Sequence, residues 1–316
     1  MKILIVCSGR PSNDNWVFEI NRSYVYEQAE SLKKLGVEYN TYFIEGSGLL
    51  GYLKNYKGLV EKIKSYKPDL IHSHYGLSGL LAALQRKVPV ITTYHGSDIN
   101  MKVNQKFSYL ASRLASENIF VHEDLAAKIN YKNKIHLIPC GVDDKTFYFM
   151  DKQDARRALG IEENRIYGLF ASSLDNKIKN YPLAKESIEK TKKGIELIEL
   201  KSCSREKVNL LLNAVDFLLV TSFSETGPLI VKEAMCCNCP IVSVDVGDVK
   251  SIVKDISGCI IARYDSDEIA KNILKIIEMN KRTTGRDTIE SYSLENIAKK
   301  VYKIYTRVIN NKEENK

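Results

Sequence analysis

Two glutamates eight positions apart, Glu225 and Glu233, stand on either side of a Gly227-Pro228 pair in the stretch SETGPLIVKEAM. The preceding run DFLLVTS reads as a buried strand, so Glu225 falls in the loop at its carboxyl end. The apolar run after Pro228 reads as a helix, with the proline in or near the first turn, where a missing N–H costs nothing. The unpaired N–H groups of such a turn attract anions. A carboxylate accepts hydrogen bonds from hydroxyls without proton chemistry. The pattern therefore suits a ligand with hydroxyls at both ends and phosphate between, such as a nucleotide sugar. On this stretch alone, a helix-end acid and a solvated mid-helix acid explain Glu225 and Glu233 as well.

Other chemistry-bearing residues also fall at strand ends. His95 closes VITTYH beside Gly96, while His72 and His74, two apart, share one face of DLIHSH. Of that pair, His74 is the one directed toward the loop. Asp98 is read first as a cap for the next helix and second as a ligand contact. Lys177 and Lys179 follow LFASS in the stretch SSLDNKIKNYPLA. Cys236, Cys237 and Cys239 lack a second cysteine pair at ligand spacing and are read as small buried positions at a helix end, not as metal ligands.

These residues require strands that alternate with helices. KILIVC, EYNTYFI, DLIHSH, VPVITTYHG, NIFVH and KIHLIPCG form a first series. RIYGLFASS, IELIEL, DFLLVTS, PIVSVDV and GCIIA form a second, after a polar linker and restart over residues 142–159. This rhythm implies parallel βαβ units and an α/β fold of two Rossmann-like doubly wound domains. The expected division is 1–145 and 146–292, with a C-terminal helix over 293–312 packing back on the first domain. Ligands of open parallel sheets sit beyond the carboxyl ends of the strands, so the expected site is the cleft between the domains. The polar tail NNKEENK should fray.

Composition agrees. A chain of 316 residues exceeds what one core usually serves. Hydrophobic content of 44% and charged content of 27% are those of a globular protein. The net charge of +8 suits an anionic ligand or acidic membrane surface without demanding nucleic acid. Seven cysteines form no regular framework, the N-terminal apolar run is too short for a signal peptide, and no run reaches membrane-spanning length. A cytoplasmic protein with reduced thiols is expected.

The stretch TSFSETGPLIVKEAMCCNCPIVSVDVGD resembles the Glu-x7-Glu signature of the retaining glycosyltransferases of family 4, which have the GT-B fold. DLIHSHYGLSGLLAA and VPVITTYHGSDI are similar to the family's two histidine-bearing strand ends. KIHLIPCGVDDKTF resembles its interdomain segment, and YSLENIAKKVYKIYTRVI its last helix. These matches span most of the chain in the expected order. The resemblance implies that Glu225 holds donor-sugar hydroxyls, Glu233 the ribose, and His95 a place by the sugar. Thr226, Gly227, Pro228 and Leu229 would line the sugar and phosphate path, although Pro228 has no amide hydrogen to offer. The family's arginine and lysine after the first strand of its second domain fall on Ser173 and Lys179, so Lys179 would hold the diphosphate, with Lys177 as a second cation where the arginine is missing.

The family's chemistry is a front-face displacement with no metal and no cofactor. The donor would be a nucleotide-diphosphate sugar, and the acceptor a glycan or lipid-linked glycan of cell-surface polysaccharide or lipopolysaccharide. The first loop, CSGRPSNDNW, lacks the Gly-Gly of many members, and residues 10–16 are expected to reach the acceptor instead. A basic amphipathic helix over 48–67, with Leu49, Leu53, Tyr56, Val60 and Ile63 as its stripe, could rest on the inner face of the cytoplasmic membrane or pack as an ordinary domain helix. The second domain is short, which implies a trimmed sheet. A GT-B sugar-nucleotide epimerase and a non-catalytic sugar-nucleotide-binding protein share the expected donor site.

Overall fold

The computed structural model describes residues 1–129, 134–201 and 203–314, so the last two residues of the polar tail lie outside the described residues. The chain divides into two compact units: Met1–Gly141 together with Leu294–Lys316, and Val142–Ser293.

Unit 1 holds six parallel strands: β1 (Lys2–Ser8), β2 (Glu38–Ile44), β3 (Leu70–His74), β4 (Val90–Tyr94), β5 (Glu117–Phe120) and β6 (Ile135–Leu137). Their order in the sheet is β2-β1-β3-β4-β5-β6. Ile3–Cys7 and all of β3, β4 and β5 are buried, as expected of strands covered by helices on both faces. The last helix, Leu294–Glu314, packs on one face through Ile297, Val301, Tyr305 and Val308, beside Val25, Ala29 and Leu32 of the helix Ser23–Lys33.

Unit 2 holds β7 (Tyr167–Phe170), β8 (Glu196–Glu199), β9 (Phe217–Val220), β10 (Ile241–Val244) and β11 (Cys259–Ala262). They lie parallel in the order β11-β10-β9-β7-β8. Each unit therefore has a switch point where the connections reverse direction, β1/β3 in the first and β7/β9 in the second. That is where open α/β sheets form a crevice at the strands' carboxyl ends.

One expectation needs correction. The 48–67 stripe is not one helix. It is broken into Gly48–Leu53 and Tyr56–Tyr66 because the Asn55 amide bonds the carbonyls of Glu45 and Gly51. Leu59 supplies the buried contact of the second piece, and Leu49, Leu50 and Leu53 stay exposed. The 142–159 segment, expected as a linker and restart, ends in the helix Lys152–Leu159 and packs on unit 2. Phe147 lies in the core of unit 2, and Asn209 and Asn213 accept the backbone N–H groups of Tyr148 and Met150. Cys236, Cys237 and Cys239 are fully buried in the same core, where burial pushes the Cys236 thiol up to about 12 and Cys239 up to about 11.

Candidate functional site

In unit 2 the β7/β9 switch point gathers Lys179 and Glu225. The chain leaves β7 through residues 171–176 and makes a 3-10 turn at Lys177–Lys179, which begins where Asn176 accepts the N–H of Ile178. Asn180 then takes a left-handed conformation, with φ 55°, and starts the helix Tyr181–Thr191. Thr221, just past β9, donates its hydroxyl to the carbonyls of Lys179 and Asn180, at 2.9 and 3.1 Å. These bonds tie the turn to the neighbouring strand and bring Lys179 Nζ to 2.6 Å from Glu225 Oε1. Both side chains are partly buried, at 20% and 14% exposure.

Lys177 is exposed and takes no part in this pair. Ser173 bonds Asp175, helping to hold that carboxyl below its usual range.

Beyond Glu225 the chain passes Thr226 and Gly227 to Pro228, which occupies the N-cap of the helix Leu229–Cys236. The Val231 N–H turns back to the Pro228 carbonyl at 3.1 Å. The amides of Leu229 and Ile230 are first-turn groups without an intrahelical partner, four and five residues after Glu225 in the chain. Gly227 lies against Asp248, where a Cβ would sit 3.1 Å from its Oδ2. Gly247, at φ +56°, lets the next loop pass under the carbonyls of Glu225 and Thr226.

Glu233 is not a solvated helix acid. It is 4% exposed and meets Arg205 Nη1 at 2.5 Å. Burial raises its carboxyl above the usual range, and the guanidinium opposes that shift. Arg205 opens the helix Arg205–Ala214 and stacks 4.6 Å over the Phe147 ring. This partner was legible in principle, because a cation at a helix N-terminus opposes the macrodipole and calls for a nearby carboxylate. The buried Lys232, 5.0 Å over the Tyr292 ring and 3.8 Å from Asp248 Oδ2, carries no comparable signal.

In unit 1 the three strand-end histidines form a stack. The rings of His72 and His74 are 4.4 Å apart, and those of His74 and His95 are 5.2 Å apart. His72 sits between the Tyr305 hydroxyl at 2.5 Å and Thr93 Oγ1 at 2.7 Å. His74 is buried rather than facing the loop, with Nδ1 3.0 Å from His95 Nε2. His95 completes its surroundings with Tyr24 and Tyr75, each 4.9 Å away, and Cys140 Sγ 3.8 Å from Nδ1. Burial holds His72 and His95 down to about 3, so these imidazoles are neutral near pH 7.

Asp98 accepts the N–H groups of Gly76, His95 and Gly96 at 3.0, 3.2 and 2.9 Å. It fastens the strand ends of β3 and β4 and serves the start of the helix Gly76–Ala83, not the next helix in sequence. A cavity of about 800 Å³ opens at the carboxyl ends of this sheet, lined by Arg10, Trp16, Arg22 and Tyr75 among others. Tyr75 holds φ +72°, a strained conformation for a non-glycine residue. Arg22 and Tyr75 had no motif to single them out. Their place follows from topology.

Residues 27–146 match the family model described as Glycosyltransferase Family 4, and residues 179–291 that described as Glycosyl transferases group 1. A Methanocaldococcus jannaschii glycosyltransferase, itself described as uncharacterized, is 26% identical over 292 residues, covering 80% of this chain and 82% of that protein. The putative teichuronic acid biosynthesis glycosyltransferase TuaC of Bacillus subtilis is 25% identical over 220 residues, covering 60% of this chain and 57% of that protein. The chain thus spans most of the first relative and little more than half of the second.

Among solved structures, sucrose-phosphate synthase from Thermosynechococcus elongatus superposes with a TM-score of 0.78 at 17% identity, over 98% of this chain and 100% of that one. Anabaena HepE in complex with UDP gives 0.74 at 17% identity, over 97% and 100%. Likeness at such identities fixes the fold, which is GT-B. With a family match in each unit, the chain belongs to the family 4 glycosyltransferases.

Proposed function

We propose that the protein transfers a sugar from a nucleotide-diphosphate sugar to a hydroxyl of a glycan or lipid-linked acceptor, with retention of the anomeric configuration. The observation that carries this reading is the Lys179–Glu225 pair at the β7/β9 switch point, in the loop that leads into the helix Leu229–Cys236. Lys179 and the first-turn amides of that helix supply positive charge where a diphosphate leaves, and such preorganised charge is the largest contribution in many transfer reactions. No metal is needed in this scheme. Glu225 takes the sugar hydroxyls, Thr226, Gly227, Pro228 and Leu229 line the path to the phosphates, and Glu233 takes the ribose. His95, neutral near pH 7, offers a hydrogen bond without adding charge. Lys177 and Ser173 stand at the edge of the phosphate path, with Lys177 as a secondary cation.

In the reaction the sugar's anomeric carbon separates from the phosphate oxygen on the face that the acceptor oxygen enters. The acceptor proton passes to the leaving phosphate. The donor class is supported by the HepE structure, which is a complex with UDP.

The acceptor side is unit 1. The exposed Leu49, Leu50 and Leu53, followed by Lys54 and Lys57, would let this face rest on the inner surface of the cytoplasmic membrane while unit 1 receives a lipid-linked acceptor of cell-surface polysaccharide. No helix among the described residues is long and apolar enough to cross a membrane.

NMR of the product from a UDP-α-sugar tests the reaction. An α-linked product supports the reading, and a β-linked product contradicts it. Turnover of donor to an epimeric sugar nucleotide without acceptor would instead show an epimerase.

A further inference from the structure

Arg22 is a half-buried cation with no anion beside it among the described residues. It stands between two helices, Phe18–Asn21 and Ser23–Lys33, at the carboxyl end of β1. Its guanidinium donates from Nε to the Ser8 carbonyl at 3.1 Å, from Nη2 to Ser8 Oγ at 3.0 Å, and from Nη1 to the Asn21 carbonyl at 2.8 Å. All three acceptors are neutral. These bonds fix the plane of the guanidinium and leave two of its five N–H groups for a further acceptor.

A partly desolvated charge is normally paired. Here no such partner stands among the described residues, and Arg22 lies on the wall of the roughly 800 Å³ cavity of unit 1. Arg10, exposed and without a side-chain partner among the described residues, lines the same cavity. Among the described lining residues the only carboxylate is Asp98, already engaged by three backbone N–H groups. The remaining lining is rich in asparagine and serine, with Trp16, Tyr52 and Tyr75 as flat apolar surfaces. Amides, hydroxyls and aromatic rings suit a hydroxylated ring. Two unopposed arginines suit a phosphate or carboxylate attached to it.

We infer that this cavity receives an acceptor bearing an anionic group, and that Arg22 anchors that group with Arg10 assisting. The inference rests on the proposed transfer reaction and names the acceptor's chemistry. A free sugar phosphate or uronate and a phosphorylated lipid headgroup present the same chemistry.

Titration calorimetry of the full chain with glucose, glucose 6-phosphate and glucuronate tests the free form. Cosedimentation with phosphatidylinositol vesicles, against equally charged phosphatidylglycerol vesicles, tests the lipid form. The expected result is that one anionic probe binds at least about 10-fold more tightly than its control, and that Arg22→Gln removes this preference by roughly 10- to 100-fold. Preference for glucose 6-phosphate or glucuronate assigns a free acceptor, and preference confined to phosphatidylinositol vesicles a lipid headgroup. Arg10→Gln, at an exposed position, should weaken the same probe by about 3- to 10-fold. The inference is overturned if no anionic probe outbinds its control, or if the preference survives both substitutions. A nucleotide thermal shift measured on the same samples separates this from a failed donor site. A shift by one nucleotide without anion preference sinks the inference alone, whereas no shift with UDP, GDP, ADP, CDP or dTDP sinks the proposed reaction.

Discussion

Lys179 Nζ lies 2.6 Å from Glu225 Oε1, so the lysine that the turn after β7 directs inward is paired with a carboxylate. An arriving diphosphate must share or take that lysine from the carboxylate. Glu225→Gln keeps the shape and removes the competing charge. It should tighten UDP binding by roughly 3- to 10-fold while slowing transfer, because the sugar hydroxyls lose their acceptor. Calorimetric UDP affinity and turnover measured on one preparation check this. A parallel loss of both would mean that Glu225 touches the nucleotide rather than the sugar.

Arg205 and Glu233 should be coupled energetically. Removing one partner of a fully buried pair costs about 3–5 kcal/mol. Arg205 is 28% exposed, so about 2 kcal/mol is expected for Glu233→Ala, with weaker nucleotide binding besides. A double-mutant cycle with Arg205→Ala, read by urea denaturation, should recover at least about 0.5 kcal/mol of coupling. Strictly additive losses would show the contact to be incidental.

Gly247 at φ +56° allows close passage beneath the Glu225 loop, and a Cβ there would lie 3.1 Å from the carbonyl oxygens of both Glu225 and Thr226. Gly247→Ala should cost about 1–2 kcal/mol from the left-handed backbone alone. It should also weaken UDP binding by displacing the loop. Melting temperature and UDP affinity are the readouts, and an unchanged affinity would detach this loop from the ligand site.

Acid should destabilise the protein through its histidine stack. Burial lowers His72 and His95 to about 3 and His74 well below 6.5. Between pH 6.5 and about 3 the unfolded chain therefore binds protons that the native stack refuses. The stabilisation is complete above pH 6.5 and is lost as pH falls, by up to about 1.4 kcal/mol per pH unit for each histidine. Asp98, raised by burial to about 6, acts in the opposite direction between 3.8 and 6 and offsets about one histidine. Melting temperature followed from pH 7.5 to pH 4.5 should decline throughout the lower part of this range. A flat or rising profile would contradict the buried, neutral stack.

The alternation of apolar runs and helical stripes made the two parallel sheets legible, because strands such as Phe217–Val220, buried on both faces, need unbroken apolar sequence. Residue pattern alone did not bring Lys179 and Glu225 together, since their nearness depends on β7 and β9 becoming neighbours across an intervening strand and two helices; only the family resemblance put both on one donor. Pattern reading also joined two helices at 48–67, where an asparagine's local bonds to backbone override the hydrophobic period. Arg22 carried no signal in the chain, because its place on the cavity wall depends on the helix break at Phe18–Asn21 and on Ser8 at the end of β1. Arg205 carried only a weak one, its position at a helix start, which does not say which carboxylate it meets.

The central claim is that Lys179 marks a nucleotide-diphosphate site. A thermal-shift panel with UDP, GDP, ADP, CDP and dTDP on wild type and Lys179→Ala tests it most directly. A nucleotide at about 100 times its dissociation constant should stabilise the wild type by roughly 2.7 kcal/mol. The account predicts that one nucleotide does so and that Lys179→Ala abolishes the shift. A shift of equal size in Lys179→Ala, or none with any nucleotide in the wild type, would contradict it.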